Sequence, residues 1–205
     1  MAPDLHDTGS QSAESTGAMR AMALRAAGLP SGPGPHWIDA RLLCRAAVHE
    51  VAPRARQQRV GVKLSLPDEP AVVIGFAPLL LKALDLVIAN AMRAMRDGGT
   101  LTLRVYRDPF VVIECCDTGS PAAGSGGRQD ADLDHLTRSW RAEDLAGARP
   151  DPARAAARIE AAKDIVQAHR GCLWVRPSDA GTSVIFELPA AGPSAPNRPW
   201  RRRTG

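Results

Sequence analysis

Residues 84–95 read LDLVIANAMRAM and combine a broad apolar helix face with a single amide side chain. Apolar side chains recur at helical spacing over residues 78–95, and the sequence DGG at 97–99 is a stop signal, so we predict a long helix over 78–95. Asn90 is polar against this apolar background, and such a side chain must be hydrogen-bonded or face a cavity. Asn90 is therefore the first candidate functional residue.

The segments on either side of this helix predict a mixed α/β domain. Their order is helix, strands, helix, hairpin, loop, helix, hairpin. This order is typical of an α+β fold, a two-layer α/β sandwich in which a mixed sheet is covered on one face by helices. The predicted helices span 40–55, with Asp39 as N-cap, and 153–169; the predicted strands span 60–66, 100–106, 110–116, 172–175 and 182–188, and 71–74 is a further short apolar run.

The chain divides into three parts by composition. Residues 1–36 are predicted to be a disordered or linker segment, with a short helix over 19–27 that ends at Gly28. Residues 37–189 form the predicted domain, and the Pro- and Arg-rich residues 190–205 form a tail. Within the domain, the loop at about 118–152 is rich in Gly, Ser and Asp, with a short helix expected over 132–144. A loop of this length in a compact domain is usually functional or mobile.

Composition argues against several classes of protein. The 205 residues carry a net charge of +4, which is too mild to argue for nucleic acid. The sequence has no apolar run of the length that a membrane helix needs and no signal-peptide core, so we expect a cytoplasmic protein. The four cysteines show no metal-type spacing and are expected to be reduced thiols packed as small apolar side chains: Cys44, Cys115, Cys116 and Cys172.

Two further polar positions follow apolar strands. Asp117 follows the apolar sequence VVIEC, and a carboxylate at a strand end is well placed to accept a hydrogen bond from a ligand. Gly119 would let that ligand approach the backbone. Thr182 begins the last predicted strand, and its hydroxyl group could reach toward Asp117. Each position alone is commonly a turn or a cap, so only their order and context are informative.

In that order, the segments resemble the histidine-kinase ATPase domain of the GHKL superfamily, the Bergerat ATP-binding fold of bacterial sensor histidine kinases. The helix with Asn90-Ala91 resembles the family's N box, with Arg93 where a lysine is common. The sequence DTGSP at 117–121 resembles the Asp-x-Gly-x-Gly box. KDIVQAHRGCLWVRPSDAGTSVIFELP at 163–189 resembles the late helix with its His-Gly ending, the Gly-Thr hairpin and the final Leu-Pro.

The resemblance implies roles for these residues. The counterpart of Asn90 helps to hold Mg²⁺ on the ATP phosphates. The counterpart of Asp117 binds the adenine amino group, and that of Thr182 supports this carboxylate through a water. The loop after Gly119 would be the ATP lid, a segment that must move to admit nucleotide. The implied cofactors are therefore ATP and Mg²⁺, and the implied partner is a phosphoacceptor-histidine domain or a response regulator of a two-component system.

The sequence departs from the family pattern at three places. Leu86, four residues before Asn90, stands where an acidic or amide side chain is usual, and Pro121 replaces the second glycine of the Asp box. The family's Gly-x-Gly segment, whose amides cradle phosphates, falls on residues 156–159, which contain no glycine. Side chains at that segment, Arg158 or Arg154, could contact phosphate instead.

Several functions remain open on the sequence alone. The first is an ATP-binding domain that transfers a phosphoryl group from ATP to a histidine on another domain or chain. His49 is not expected to be that acceptor, because it precedes Asn90 by only 41 residues (90 − 49), too few for an acceptor hairpin and the first strands. The second is a degenerate pseudo-kinase module that docks a response regulator or kinase. The third, a stand-alone protein-serine kinase of the superfamily, is disfavoured by Leu86. A nucleic-acid binder acting through the sequence RPWRRR at 198–203 is disfavoured relative to a solvated tail.

Overall fold

The computed structural model describes residues 22, 24–32, 34–119, 152–178 and 180–191. The predicted helix over 132–144, almost all of the predicted lid and the Arg-rich end of the tail lie outside these residues. The described elements, in chain order, are β1 (His36–Asp39), α1 (Ala40–Gln57), β2 (Val60–Ser65), β3 (Val72–Gly75), α2 (Ala77–Ala94), β4 (Gly99–Asp108), β5 (Phe110–Asp117), α3 (Pro152–Ala168), β6 (Cys172–Ser178) and β7 (Gly181–Leu188).

A five-stranded mixed sheet with the order β2-β4-β5-β7-β6 forms one layer. Strands β2 and β4 pair in parallel, and the other neighbours pair antiparallel. Parallel strands need a crossover, and the chain between β2 and β4 supplies it with α2. Strands β1 and β3 form a separate antiparallel pair. The fold is therefore α+β with a mixed sheet packed against helices, which confirms the predicted class.

The helices begin and end where local chemistry allows. The Asp39 carboxylate accepts a hydrogen bond from the N–H of Arg41 at 3.0 Å, so Asp39 is the N-cap of α1 as predicted. Helix α2 has Pro78 in its first turn, where the missing N–H costs nothing. Its buried face includes Leu80, Leu84 and Val87. The predicted strands of the main sheet are confirmed, whereas β1 was not predicted.

One hydrophobic core joins the helices to one face of the sheet. Alternate strand residues such as Leu103, Ile113 and Phe186 are buried in it together with Leu81 of α2. Leu24 and Leu29, which precede the predicted start of the domain, are also buried in this core, at 0% and 4% exposure; the boundary near residue 37 stays a prediction. Across the described residues, no helix combines the length and apolarity needed to span a bilayer.

His169 ties the end of α3 to the start of α2. Its Nε2 accepts a hydrogen bond from the N–H of Phe76 at 3.0 Å, and its Nδ1 lies 2.7 Å from the carbonyl oxygen of Ile165. These partners require a neutral ring with the proton on Nδ1. The ring also lies close against Gly75, where a Cβ atom would come within 2.5 Å of it. His169 therefore fixes how the end of α3 lies beside the start of α2.

Candidate functional site

Asp117 ends β5, and the backbone around it shapes its carboxyl group. In the sheet it lies opposite Leu101 of β4 and Thr182 of β7. Its Oδ1 accepts a hydrogen bond from the N–H of Gly119 at 3.0 Å. Burial raises the pKa of the Asp117 carboxyl group, while hydrogen bonds from the N–H groups of Gly119 and Thr182 partly offset that rise. Asp117 is thus a half-buried acceptor that is oriented by backbone donors.

Two glycines allow the chain to close around this carboxyl group. Gly119 is buried, and a Cβ atom there would lie 2.6 Å from the Cβ of Ala94, at the end of α2. Gly181 has a φ of +140°, and a Cβ atom there would overlap the carbonyl oxygen of Asp117. Both positions therefore require glycine, and they bring α2 and β7 against the end of β5.

The amide group of Asn90 is held at both ends by α3. Its Nδ2 donates to the carbonyl oxygen of Ala155 at 3.0 Å, and its Oδ1 accepts from the guanidinium group of Arg158 at 3.3 Å. Reversing the amide would set oxygen against oxygen and donor against donor, so the neighbours fix its orientation. The expectation that this polar side chain is hydrogen-bonded is confirmed, and its partners belong to α3.

Helix α2 connects these two groups of residues. Asn90 contacts α3 and Ala94 contacts Gly119, and the two positions are four residues apart on one side of the helix. The rise of an α-helix separates them by about 6 Å along its axis. The Asp117 end and the Asn90 end of the predicted site therefore lie along the same side of α2.

Arg93 adds a cation near this side of the helix. It lies three residues after Asn90 and is half-buried. Its Nε is shielded from solvent and has no hydrogen-bond partner within the part of the chain that the structure describes. A buried guanidinium N–H without a partner is unusual in a native fold. This N–H group is therefore available to donate to an acceptor outside the described residues, such as a bound ligand.

Residues 156–159, which the sequence resemblance sets against the glycine segment of histidine-kinase ATPase domains, lie inside α3. Because this helix begins at Pro152, the N–H groups from Ala156 onward fall beyond its first turn and bond within the helix. The helix runs unbroken through the segment, with Ala155 buried and Ala157 exposed. Phosphates cannot be cradled here by backbone amides, and the side chains of Arg158 and its neighbours are what the segment offers.

The donor set around Asn90 does not suit a divalent metal. Mg²⁺ requires oxygen ligands in near-octahedral geometry, which one or two protein carboxylates usually supply together with substrate phosphates and waters. Asn90 Oδ1 already accepts from Arg158, and Leu86 supplies no oxygen. Asp85 lies five residues before Asn90 and so points about 140° away around the helix. Among the described residues no cluster of three or more His, Cys, Asp or Glu side chains could hold a metal ion.

Sequence reasoning missed three residues that shape the site. The carbonyl group of Ala155 orients Asn90, and the side chain of Ala94 sets the approach of Gly119. Neither has a sequence signal, because a backbone carbonyl is present at every position and alanine is common throughout this chain. Thr118 is a third: its Oγ1 accepts from the N–H of Thr100 at 2.9 Å and holds the end of β5 to β4.

Of three comparisons with known proteins, only the comparison with solved structures finds proteins of similar architecture. No protein-family model matches the sequence. No curated protein matches it either. Among solved structures, the nucleotide-free catalytic domain of histidine kinase ThkA matches with a TM-score of 0.59 at 14% identity, over 76% of this chain and 97% of that one. The mycobacterial sensor histidine kinase MprB matches with a TM-score of 0.55 at 21% identity, over 76% and 97%.

A longer match supports the same assignment. The cytoplasmic segment of histidine kinase QseC matches with a TM-score of 0.56 at 13% identity, over 93% of this chain and all of that one (100%). At these identities the likeness is one of fold. The chain therefore has the fold of the catalytic domains of histidine kinases, the Bergerat fold, as the sequence predicted.

Proposed function

We propose that this chain is the ATP-binding domain of a phosphotransfer protein of the two-component type, with ATP as phosphoryl donor to a histidine on another domain or chain. The observation that carries the proposal is the alignment of the Asp117 and Asn90 groups along one side of α2. A carboxylate acceptor at one end and polar and cationic side chains at the other suit a ligand with an amino-bearing base and a polyphosphate.

The Asp117 carboxylate would accept a hydrogen bond from the adenine amino group. Oδ1 already accepts from the N–H of Gly119, so the carboxylate is oriented before the ligand arrives. Burial makes the ionised carboxylate costly, and a further donor from the ligand would offset part of that cost. Guanine presents a carbonyl oxygen at the corresponding position, so the site should discriminate against it.

Asn90, Arg93 and Arg158 would meet the phosphates. The guanidinium groups carry fixed positive charge and fork-shaped donors, which match phosphate oxygens. The Arg93 Nε that has no partner among the described residues would find one there. Thr182 lies at the Asp117 end of the site, where its N–H group donates a hydrogen bond to the Asp117 carboxyl group.

The acceptor histidine would lie outside the described domain. The ring of His169 is engaged at both nitrogens, by the N–H of Phe76 and the carbonyl of Ile165. His49 is exposed on α1, which is a helix of the domain itself. Neither residue offers the paired helices on which such an acceptor is expected.

Calorimetric titration with ATP and with ADP would test the proposal. We expect micromolar binding that is lost in Asp117→Asn, because the amide cannot offer two acceptor oxygens. The matched control is Asp108→Asn, which removes the same charge at the far end of the β4–β5 hairpin, about 23 Å along the strand. Absence of binding by the native chain at millimolar nucleotide would refute the proposal.

The engagement of Asn90 with α3 favours a second candidate, a module of the same fold that docks a response regulator or kinase without turning over ATP. Both the Asn90 amide ends are already bonded within the protein. This candidate predicts no transfer of the γ-phosphoryl group to a supplied acceptor domain, even where nucleotide binds. An assay with labelled ATP and an isolated acceptor domain separates the two.

A further inference from the structure

We propose that the guanidinium group of Arg158 stands in the place of a divalent metal ion, so that the chain binds adenine nucleotide phosphates without Mg²⁺. The inference rests on the nucleotide-binding part of the proposed function and concerns the form in which the nucleotide is bound. Its first observation is that Asn90 Oδ1, the atom that the family resemblance assigns to the metal, accepts from Arg158 at 3.3 Å.

The orientation of Asn90 makes this assignment firm. The bond from Nδ2 to the carbonyl oxygen of Ala155, at 3.0 Å, directs Oδ1 toward the Arg158 side chain. A metal ion at Oδ1 would have to displace the guanidinium group or share the oxygen with it, at a separation where two positive charges repel strongly. The positive charge beside Asn90 is therefore supplied by the protein itself.

The rest of the neighbourhood provides cations and lacks metal ligands. Leu86 occupies the position on α2 one turn before Asn90, where the family resemblance expects an acidic or amide side chain, and it supplies no oxygen. Arg93, on the same side of the helix, carries a buried Nε that has no hydrogen-bond partner in the described chain. One guanidinium group bonded to Asn90 and a second on the same side of α2 favour an anion over a cation, because arginine donates and never accepts.

The structure of helix α3 explains why side chains, and not backbone amides, would bind the phosphates. Its N–H groups from Ala156 onward are bonded within the helix, so the backbone cannot take the phosphates. The NH1 group of Arg158 reaches Asn90 at 3.3 Å and the carbonyl oxygen of Arg154 at 3.4 Å. Both distances are near the long limit for a hydrogen bond, so a phosphate oxygen can compete for that nitrogen at small cost.

The test is a calorimetric titration of the full chain with ADP and with adenosine, each in EDTA and in excess Mg²⁺. We expect the ADP affinity to change by less than about threefold between the two conditions, since the cation is built in. An ADP affinity that rises about tenfold or more with Mg²⁺ would overturn the inference and leave the proposed function standing. No binding of ADP or adenosine in either condition would overturn both.

Substitution of Arg158 tests its role at the phosphates directly. Arg158→Gln should weaken ADP binding by about 10-fold to 100-fold in EDTA, which is the usual worth of a charged hydrogen bond, and should leave adenosine binding unchanged. Arg158→Lys keeps the positive charge but loses the forked pair of guanidinium donors. Its ADP affinity should therefore fall between that of the native chain and that of Arg158→Gln. Arg45→Gln, an exposed arginine on α1, is the matched control for net charge.

The outcomes separate a phosphate contact from a structural one. If Arg158→Gln weakened adenosine and ADP equally, the guanidinium group would act only by holding α3 to α2, and the inference would fail. Thermal melting of each variant without nucleotide reports whether the fold is retained. If Arg158→Gln did not fold, the ratio of ADP to adenosine affinity in Arg158→Lys would decide, and an unchanged ratio there would contradict the inference.

Discussion

The Asp117 carboxyl group makes folding sensitive to pH. Burial raises its pKa above the ordinary value of 3.8, against the smaller opposing effect of the N–H groups of Gly119 and Thr182. The folded state therefore holds this proton more tightly than the unfolded chain does. The resulting stabilisation is fully present below the unfolded pKa and is lost as the pH rises through the folded pKa.

The Asp117→Asn variant lacks that titration. We therefore expect its free energy of unfolding, relative to the native chain, to rise between about pH 4 and pH 7, since only the native chain must ionise a buried acid. Urea unfolding of both proteins over this range measures the difference. A flat difference for Asp117→Asn over this range would contradict the burial of this group.

The cysteines give a second residue-scale prediction. Burial raises the pKa of the Cys44 thiol to about 12 and that of Cys115 well above its usual range. Cys116 is half-buried, and burial raises its pKa although the hydroxyl group of Ser183 opposes this. Iodoacetamide at neutral pH should therefore leave Cys44 and Cys115 unmodified in the folded chain and alkylate Cys116 and Cys172 slowly. Mass spectrometry of peptides, with a urea-unfolded sample as reference, measures each site.

At the scale of elements, the contact between α2 and the end of β5 depends on Gly119. A Cβ atom there would meet the Ala94 side chain at 2.6 Å and the Ala94 backbone at 3.0 Å. We expect Gly119→Ala to lower the free energy of unfolding by about 1–3 kcal/mol, because one element must move. Gly61→Ala is the control, since its nearest neighbours would be 3.8 Å away. Equal effects of the two substitutions in urea unfolding would refute the close contact.

The attachment of α3 to the start of α2 depends on His169. Removing the ring in His169→Ala leaves the N–H of Phe76 without its acceptor, which should cost about 1–3 kcal/mol of unfolding free energy. His49→Ala, at an exposed position on α1, should change stability by no more than about 0.5 kcal/mol. Thermal or urea unfolding compares them; a His169→Ala variant as stable as His49→Ala would show that the hydrogen bond contributes nothing.

The elements differ in how far sequence could predict them. Helix α2 follows from an apolar pattern that lies within one segment, and the β4–β5 hairpin follows from alternation on either side of Pro109. Strand β1 is four residues long with only Ile38 buried, so its sequence carries no period, and it forms because β3 is available to pair. The orientation of Asn90 was equally out of reach, because its partner is the backbone of Ala155.

At the scale of the whole molecule, the fold and its order of elements were predictable, whereas the relation of residues 24–29 to the core was not. A helix ends at these residues. The N–H of Leu29 donates to the carbonyl oxygen of Leu24 at 2.8 Å, and the N–H of Gly28 donates to the carbonyl oxygen of Arg25 at 3.0 Å. With Gly28 at a φ of +72°, this is a Schellman motif. The breaker sequence was recognised, but an isolated pair of leucines does not reveal that it packs on a distant core.

The burial of Leu24 predicts that the folding unit begins before residue 37. Leu24 is 0% exposed and Leu29 is 4% exposed, so the Schellman motif places both of its apolar side chains in the core. Leu24→Ala should therefore cost about 2–5 kcal/mol of unfolding free energy, as for other buried leucines. Met22→Ala, in the same segment but 73% exposed, should change it by no more than about 0.5 kcal/mol. Urea unfolding of the full chain measures both; if Leu24→Ala were as mild as Met22→Ala, the segment would not belong to the folding unit and a domain start near residue 37 would be favoured.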